Sequence, residues 1–169
     1  GGPGKIFISN THFDTTRANI EYAGATAIDI PVPEAANTCF EYPFKGNIDT
    51  LKLEQLIEKH GSENIGAVIL TVTNNSGGGQ PVSMKNAMDV KAICSKHGVL
   101  FLLDSCRVAE NAYFIKHREQ EFKDFTYREI ASAMFRLTDG TVMSAKKDAL
   151  VNTGGFIALK DENLAIKCR

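Results

Sequence analysis

Three short polar clusters hold the residues that could do chemistry in this sequence. Asn74 and Asn75 follow an apolar run at 65–73, Asp104 and Arg107 follow a second at 99–103, and Ser144, Lys146 and Lys147 close a third β-type segment. A carboxylate at the end of a buried strand, such as Asp104, needs a partner, because burying it alone is expensive. A protonated pyridine nitrogen of a ligand would serve, and so would Arg107. Equally, Asp104 could simply cap the helix that follows. Lys147 sits beside Lys146 in a Ser-Ala-Lys-Lys-Asp turn. A lysine next to a second ammonium and shielded from water gives up its proton more readily. It can then form a Schiff base with an aldehyde and later act as a base. Taken alone, the pair is a solvated basic turn, the commoner meaning of such a dipeptide. The distant Asp104 is what gives it weight. Phe13 could lie against a flat ligand, although a lone aromatic is usually core. Ser144 could donate to a phosphate. The run Ser76-Gly77-Gly78-Gly79-Gln80 lacks both G-x-G-x-x-G spacing and the Lys-Ser/Thr of a P-loop. It reads as a loop that lets backbone approach a ligand or a neighbouring chain.

These clusters fall where an open α/β sheet binds ligands, outside the carboxyl ends of its strands. The elements needed to hold them there can be read from the pattern. A short helix with a threonine N-cap is predicted over 15–23, a strand over 25–32 and an irregular loop over 34–46. Asn47 and Asp49 precede Leu51, Leu53, Leu56 and Ile57, an amphipathic helix stopped by Gly61. The run 65–73 is apolar or β-branched throughout, as in a strand buried on both faces, and 74–80 is its exit loop. Ser83 caps a helix carrying Met84, Ala87, Met88, Val90, Ala92 and Ile93, ended by Gly98. A second buried strand covers 99–103 and a helix 107–115. Thr126 and Glu129 form a capping box for the next helix. Strands follow at 141–144 and 155–160, the second antiparallel to the first, and Asp161 opens a last helix. The expected fold is α/β, three-layered, with a mostly parallel sheet flanked by helices, as one domain over 1–169. The chain starts just before a functional-looking motif and stops inside a periodic segment, so a piece of a longer protein is expected.

Composition narrows the function classes. Of 169 residues, 43% are apolar and 23% charged, with a formal net charge of -1. Nothing there favours nucleic acid or an anionic membrane as partner, and no apolar run approaches a membrane span. Cys39, Cys94, Cys106 and Cys168 are widely spaced with no C-x-x-C, and the four histidines stand apart. Neither a zinc site nor a disulfide scaffold is expected, and a reducing cytoplasm is the default compartment.

Four segments, His12-Phe13-Asp14-Thr15-Thr16, Asn75 with Gly78-Gly79-Gln80-Pro81-Val82-Ser83, Glu110-Asn111-Ala112-Tyr113-Phe114-Ile115-Lys116 and Ser144-Ala145-Lys146-Lys147-Asp148, resemble the β-eliminating lyases, tryptophanase and tyrosine phenol-lyase. The likeness runs nearly end to end, in order and with consistent spacing. It implies the middle of a large pyridoxal-phosphate (PLP) domain of the aspartate aminotransferase-like fold, type I, here incomplete. It implies that Lys147 binds PLP and is the catalytic base, and that Asp104 pairs with the pyridine nitrogen. Arg107 and Asn75 would hydrogen-bond the phenolic oxygen, Phe13 stack on the ring, and Ser144 with Lys146 hold the phosphate. Asn152, through its backbone carbonyl, would line a monovalent-cation site for potassium. Asp14 resembles the tryptophanase pattern and could orient an indole N–H, whereas Arg17 looks more like the phenol-lyase side. The implied reaction is β-elimination of tryptophan to indole, pyruvate and ammonia. The alternatives are tyrosine as substrate, with phenol released, or a non-catalytic chain that keeps only the fold. Joint retention of Lys147, Asp104, Arg107 and Asn75 argues against a decayed site. The resemblance further implies a homotetramer for the intact protein, and no turnover by this piece alone.

Overall fold

Six strands form one sheet: β1 (Ile6–Ser9), β2 (Thr26–Asp29), β3 (Ile65–Thr71), β4 (Phe101–Asp104), β5 (Gly140–Ser144) and β6 (Gly155–Leu159). They are seen in a computed structural model that describes residues 2–168. The sheet order is β2-β1-β3-β4-β5-β6. The first five strands are parallel and β6 runs antiparallel to β5. This is the mostly parallel sheet expected, antiparallel last strand included. Strand β1 was not foreseen, and it lies between β2 and β3 near the middle. It is no shorter than β2 or β4, but Ile6-Phe7-Ile8 shows no alternation and sits in a glycine-rich start. Pairing on both sides stabilises it instead, which no local window reveals.

Side chains alternate along β3 and so define two cores. Val68 and Leu70 face a large cluster that includes Phe101 and Leu103, whereas Ala67 and Ile69 face a small one with Ile20 and Ala25. The large cluster is covered by α2 (Thr50–His60), α3 (Met84–His97), α4 (Val108–Arg118) and α5 (Tyr127–Leu137). The small one is covered by α1 (Asp14–Tyr22). A short α6 (Glu162–Lys167) follows β6. None of the described helices is long and apolar enough to cross a membrane.

Helix starts follow the sequence in most cases. Asp49 accepts from the Lys52 N–H at 3.0 Å and Ser83 from the Asn86 N–H at 3.0 Å. Thr126 and Glu129 close a reciprocal capping box. The threonine cap expected for α1 is not formed. That helix begins at Asp14 with Phe13 in the cap position and no side-chain cap, because the preceding residues are held from another strand, as described below. The stretch expected as loop over 34–46 is irregular except for one 3-10 turn, Pro33–Ala36.

Buried asparagines hold the long connections in place. Asn111 of α4 accepts from the Val82 N–H at 2.8 Å and donates to the Val82 carbonyl at 2.9 Å. Asn86 does the same to Ile48, at 3.0 Å each way. Asn10 bridges Thr71 and Gly46. Gly46 is required for that approach, since a Cβ there would lie 2.3 Å from the Gln80 carbonyl oxygen.

Candidate active site at the strand ends

Register decides which polar groups meet. Thr71 pairs with Asp104 and Asp104 with Val142, so the ends of β3, β4 and β5 lie in one row. Asp104 alternates with Leu103 and therefore faces the thinly covered side of the sheet, towards α1. A cavity of about 950 Å³ opens there, lined by Phe13, Asn75, Asp104, Ser144, Lys146 and Lys147 among others. Six of the nine residues singled out by sequence for cofactor, substrate or cation thus share one cavity. Phe13 enters from the β1–α1 link, and the Lys147 ammonium lies 5.5 Å from its ring centre.

The Lys147 turn is pinned from three directions. Ala145 donates to the Gly154 carbonyl at 3.0 Å, across the base of the β5–β6 connection. The Asp148 N–H donates to the Cys106 carbonyl at 3.3 Å. The Asp148 carboxylate accepts from the Ala109 N–H at 2.5 Å, in the first turn of α4. Asp148 thereby supplies the cap that Arg107, at the α4 N-cap position, does not. The motif that contains Asp148 assigns it no role by itself. A partner so far away in sequence leaves no local signal.

Three of the nine lie elsewhere. Arg107 donates to the Thr73 carbonyl at 3.3 Å and to Asn75 Oδ1 at 3.4 Å, and its Nε lies 3.8 Å from Glu110. It lines a neighbouring cleft that shares Asn75 with the main cavity. Thr73 sits at φ 52, strained for a β-branched residue. Its hydroxyl donates to the Arg107 carbonyl at 3.0 Å, so Arg107 and Thr73 brace each other. Asp14 is exposed, with an oxygen 3.5 Å from the Ser76 hydroxyl. Asn152 is exposed on the β5–β6 connection. Arg17 is occupied by Asp29, Glu21 and the Ala27 carbonyl. Gly78 and Gly79 both take positive φ and have open space where a Cβ would be. Within the chain they serve the turn, and the close backbone approach is made by Gly46.

Asp104 is the electrostatic oddity. It is buried, and its hydrogen bonds come from Cys106, whose N–H is 3.4 Å away. Burial pushes its carboxyl above the usual value, against the opposing pull of Cys106 and of the Lys147 and Arg107 charges. The same burial, with the Asp104 charge, drives the Cys106 thiol up to about 11. Among the described residues Asp104 has no ion pair, and the nearby guanidinium is turned to Glu110. A buried acid lacking a cationic partner, a lysine and an aromatic face around one space fit PLP. That molecule presents a ring nitrogen, a flat ring and an aldehyde.

Residues 4–169 match the family model described as beta-eliminating lyase. The chain belongs to the beta-eliminating lyase family. It is similar to a tryptophanase of Salinibacter ruber, with 52% identity over 168 residues, covering 99% of this chain and 36% of that protein. It is similar to a tyrosine phenol-lyase of Pasteurella multocida, with 49% identity over 162 residues, covering 96% of this chain and 35% of that protein. This beta-eliminating lyase chain thus spans about a third of the length of those relatives. Among solved structures it resembles the aminotransferase TlmJ from Streptoalloteichus hindustanus, with TM-score 0.60 and 19% identity over 99% of this chain and 37% of that one. It also resembles a Leishmania major threonine aldolase, with TM-score 0.61 and 20% identity over 93% and 41%. These two likenesses establish the aminotransferase-like fold.

Proposed function

We propose that this chain forms the cofactor face of a PLP-dependent carbon–carbon lyase. Its reaction is β-elimination of an aromatic amino acid, tryptophan foremost, to give indole, pyruvate and ammonia. The observation that carries the reading is the presence of Asp104 and Lys147 in one cavity, from strands that only the fold brings together. The relatives named tryptophanase and tyrosine phenol-lyase support the reaction class. Since both names occur, tyrosine with release of phenol is the alternative.

PLP, when bound, supplies an electron sink for the electrons left at the α-carbon of an amino acid. The chain's own residues do the rest. Lys147 would supply the amine that holds the aldehyde and the base that could accept an α-proton. Asp104 keeps a proton on the pyridine nitrogen, gaining the cationic partner that its burial demands. Phe13 offers its ring face, Asn75 and Arg107 hydrogen bonds to the phenolic oxygen, and Ser144 with Lys146 contacts to the phosphate. Asp14, between the lining residues Phe13 and Thr15, takes the indole N–H. The Asn152 carbonyl serves a monovalent cation, potassium. The same reading makes 1–169 the central part of a large PLP-binding domain in a cytoplasmic homotetramer. Four free cysteines are in keeping with a reducing compartment.

The test is borohydride reduction of the full-length protein followed by peptide mass spectrometry, with indole and phenol assayed in parallel. A visible band lost on reduction and a pyridoxyl mass on Lys147 are expected, with indole released faster than phenol. A label on another residue, or no band at all, would overturn the reading.

A further inference from the structure

Phe13 reaches the cavity from residues 10–13, which belong to no strand or helix, so something outside regular structure must hold it. Asp29 is in place to do so. It ends β2 in register with Ser9, where β1 gives way to that irregular stretch. Its Oδ1 accepts the backbone N–H of His12 at 2.9 Å and lies 2.6 Å from Nδ1 of the same residue. At that distance from a carboxylate the Nδ1 carries a proton and donates it. One oxygen therefore grips His12 by main chain and side chain together. The other oxygen accepts from Arg17, whose second nitrogen donates to the Ala27 carbonyl at 3.1 Å. A single carboxylate thus ties down both sides of Phe13, at the residue before it and in the first turn of the helix after it.

His12 is the informative partner. Its side chain is fully buried, yet its Nε2 has no hydrogen-bond partner among the described residues. An apolar ring would fill the same space without that unsatisfied nitrogen. What only histidine adds is the Nδ1–H aimed at Asp29. Burial pushes the Asp29 carboxyl up, but the hydrogen bonds from His12 and Arg17 outweigh it and hold it below the usual value. It is therefore ionised at neutral pH and able to accept from all three donors.

We propose that Asp29, acting through His12, is the positioning residue that holds Phe13 against the cofactor. The cofactor reading above enters only in what Phe13 faces, not in how Phe13 is held.

The test places 4-fluorophenylalanine at position 13 of the full-length protein. Its fluorine resonance is recorded with and without added PLP. The wild type is expected to give one sharp line that moves when PLP binds. Asp29→Ala should displace or split that line even without PLP, and raise the PLP dissociation constant about 10-fold through loss of an aligned ring face. Asp29→Asn keeps an acceptor oxygen for His12 but turns a donor towards Arg17, so it should restore the wild-type line in part. His12→Phe keeps a buried ring but loses the donor, so it should displace the line as Asp29→Ala does. It also replaces Asp29→Ala if that variant does not fold. An unmoved line with an unchanged PLP dissociation constant in these variants overturns the proposal. A line that ignores PLP in every form overturns the cofactor reading instead, and its displacement by Asp29→Ala still decides the role of Asp29.

Discussion

The ammonium of Lys147 faces the ring of Phe13 at 5.5 Å from its centre, although one residue precedes the first helix and the other follows the fifth strand. At that distance the charge lies within cation–π range of the ring, and both groups line the same cavity. Lys147→Arg keeps a positive charge there but removes the amine. In the full-length protein it is expected to abolish the borohydride-sensitive visible band. It should also lower kcat/KM by about 10³-fold or more, the scale of a lost acid–base group. Absorbance and indole release measure both, and an intact band in this variant would sink the assignment.

Asp104 should make the cofactor-free protein less stable than it could be. Burial holds its folded-state carboxyl above the ordinary 3.8. Between that value and the raised one, the folded state keeps a proton that the unfolded state has lost. Stability therefore falls as pH rises through this window. Asp104→Asn carries no such penalty. It should melt at a higher temperature than wild type at neutral pH. The difference should close as pH is lowered towards 3.8. The same variant should bind PLP more weakly, and thermal melts and PLP titration check the two halves separately.

Asn111 is a structural clamp rather than a site residue. Its two hydrogen bonds to Val82 hold the segment after the glycine-rich loop onto α4. Asn111→Ala leaves a buried N–H and a buried carbonyl without partners. It is expected to cost about 2–3 kcal/mol, read by urea unfolding, while adding no new ligand preference.

Thiol chemistry should divide the cysteines. Burial pushes Cys94 up to about 12 and Cys106 to about 11, and the thiolate is the reactive form. At pH 8 neither is expected to be alkylated until denaturant is added, whereas Cys39 is exposed and should react. Peptide-resolved alkylation of the full-length protein gives the order directly.

Asp14 tests the choice of substrate. Asp14→Ala should lower kcat/KM for tryptophan by about 10-fold or more, because the indole N–H loses its acceptor, and should affect tyrosine less. Equal losses for both substrates would remove Asp14 from the specificity assignment.

The sequence by itself determined most of the elements, the fold class and the identity of the polar clusters. The runs at 65–73 and 99–103 marked buried strands because both faces are apolar. Ser83, Asp49 and Thr126 marked helix starts because capping is a contact over three residues. Tertiary structure alone decided what those clusters do to one another. Register placed Thr71, Asp104 and Val142 in a row, and the thin helical cover on that face, α1 with the short α6 at the cavity's rim, left space beside them. β1, the Asp148 clasp on α4 and the Asp29 grip on His12 were invisible in the sequence for the same reason. Each is a bond between residues far apart in the chain, and its strength comes from burial that exists only once the sheet has formed.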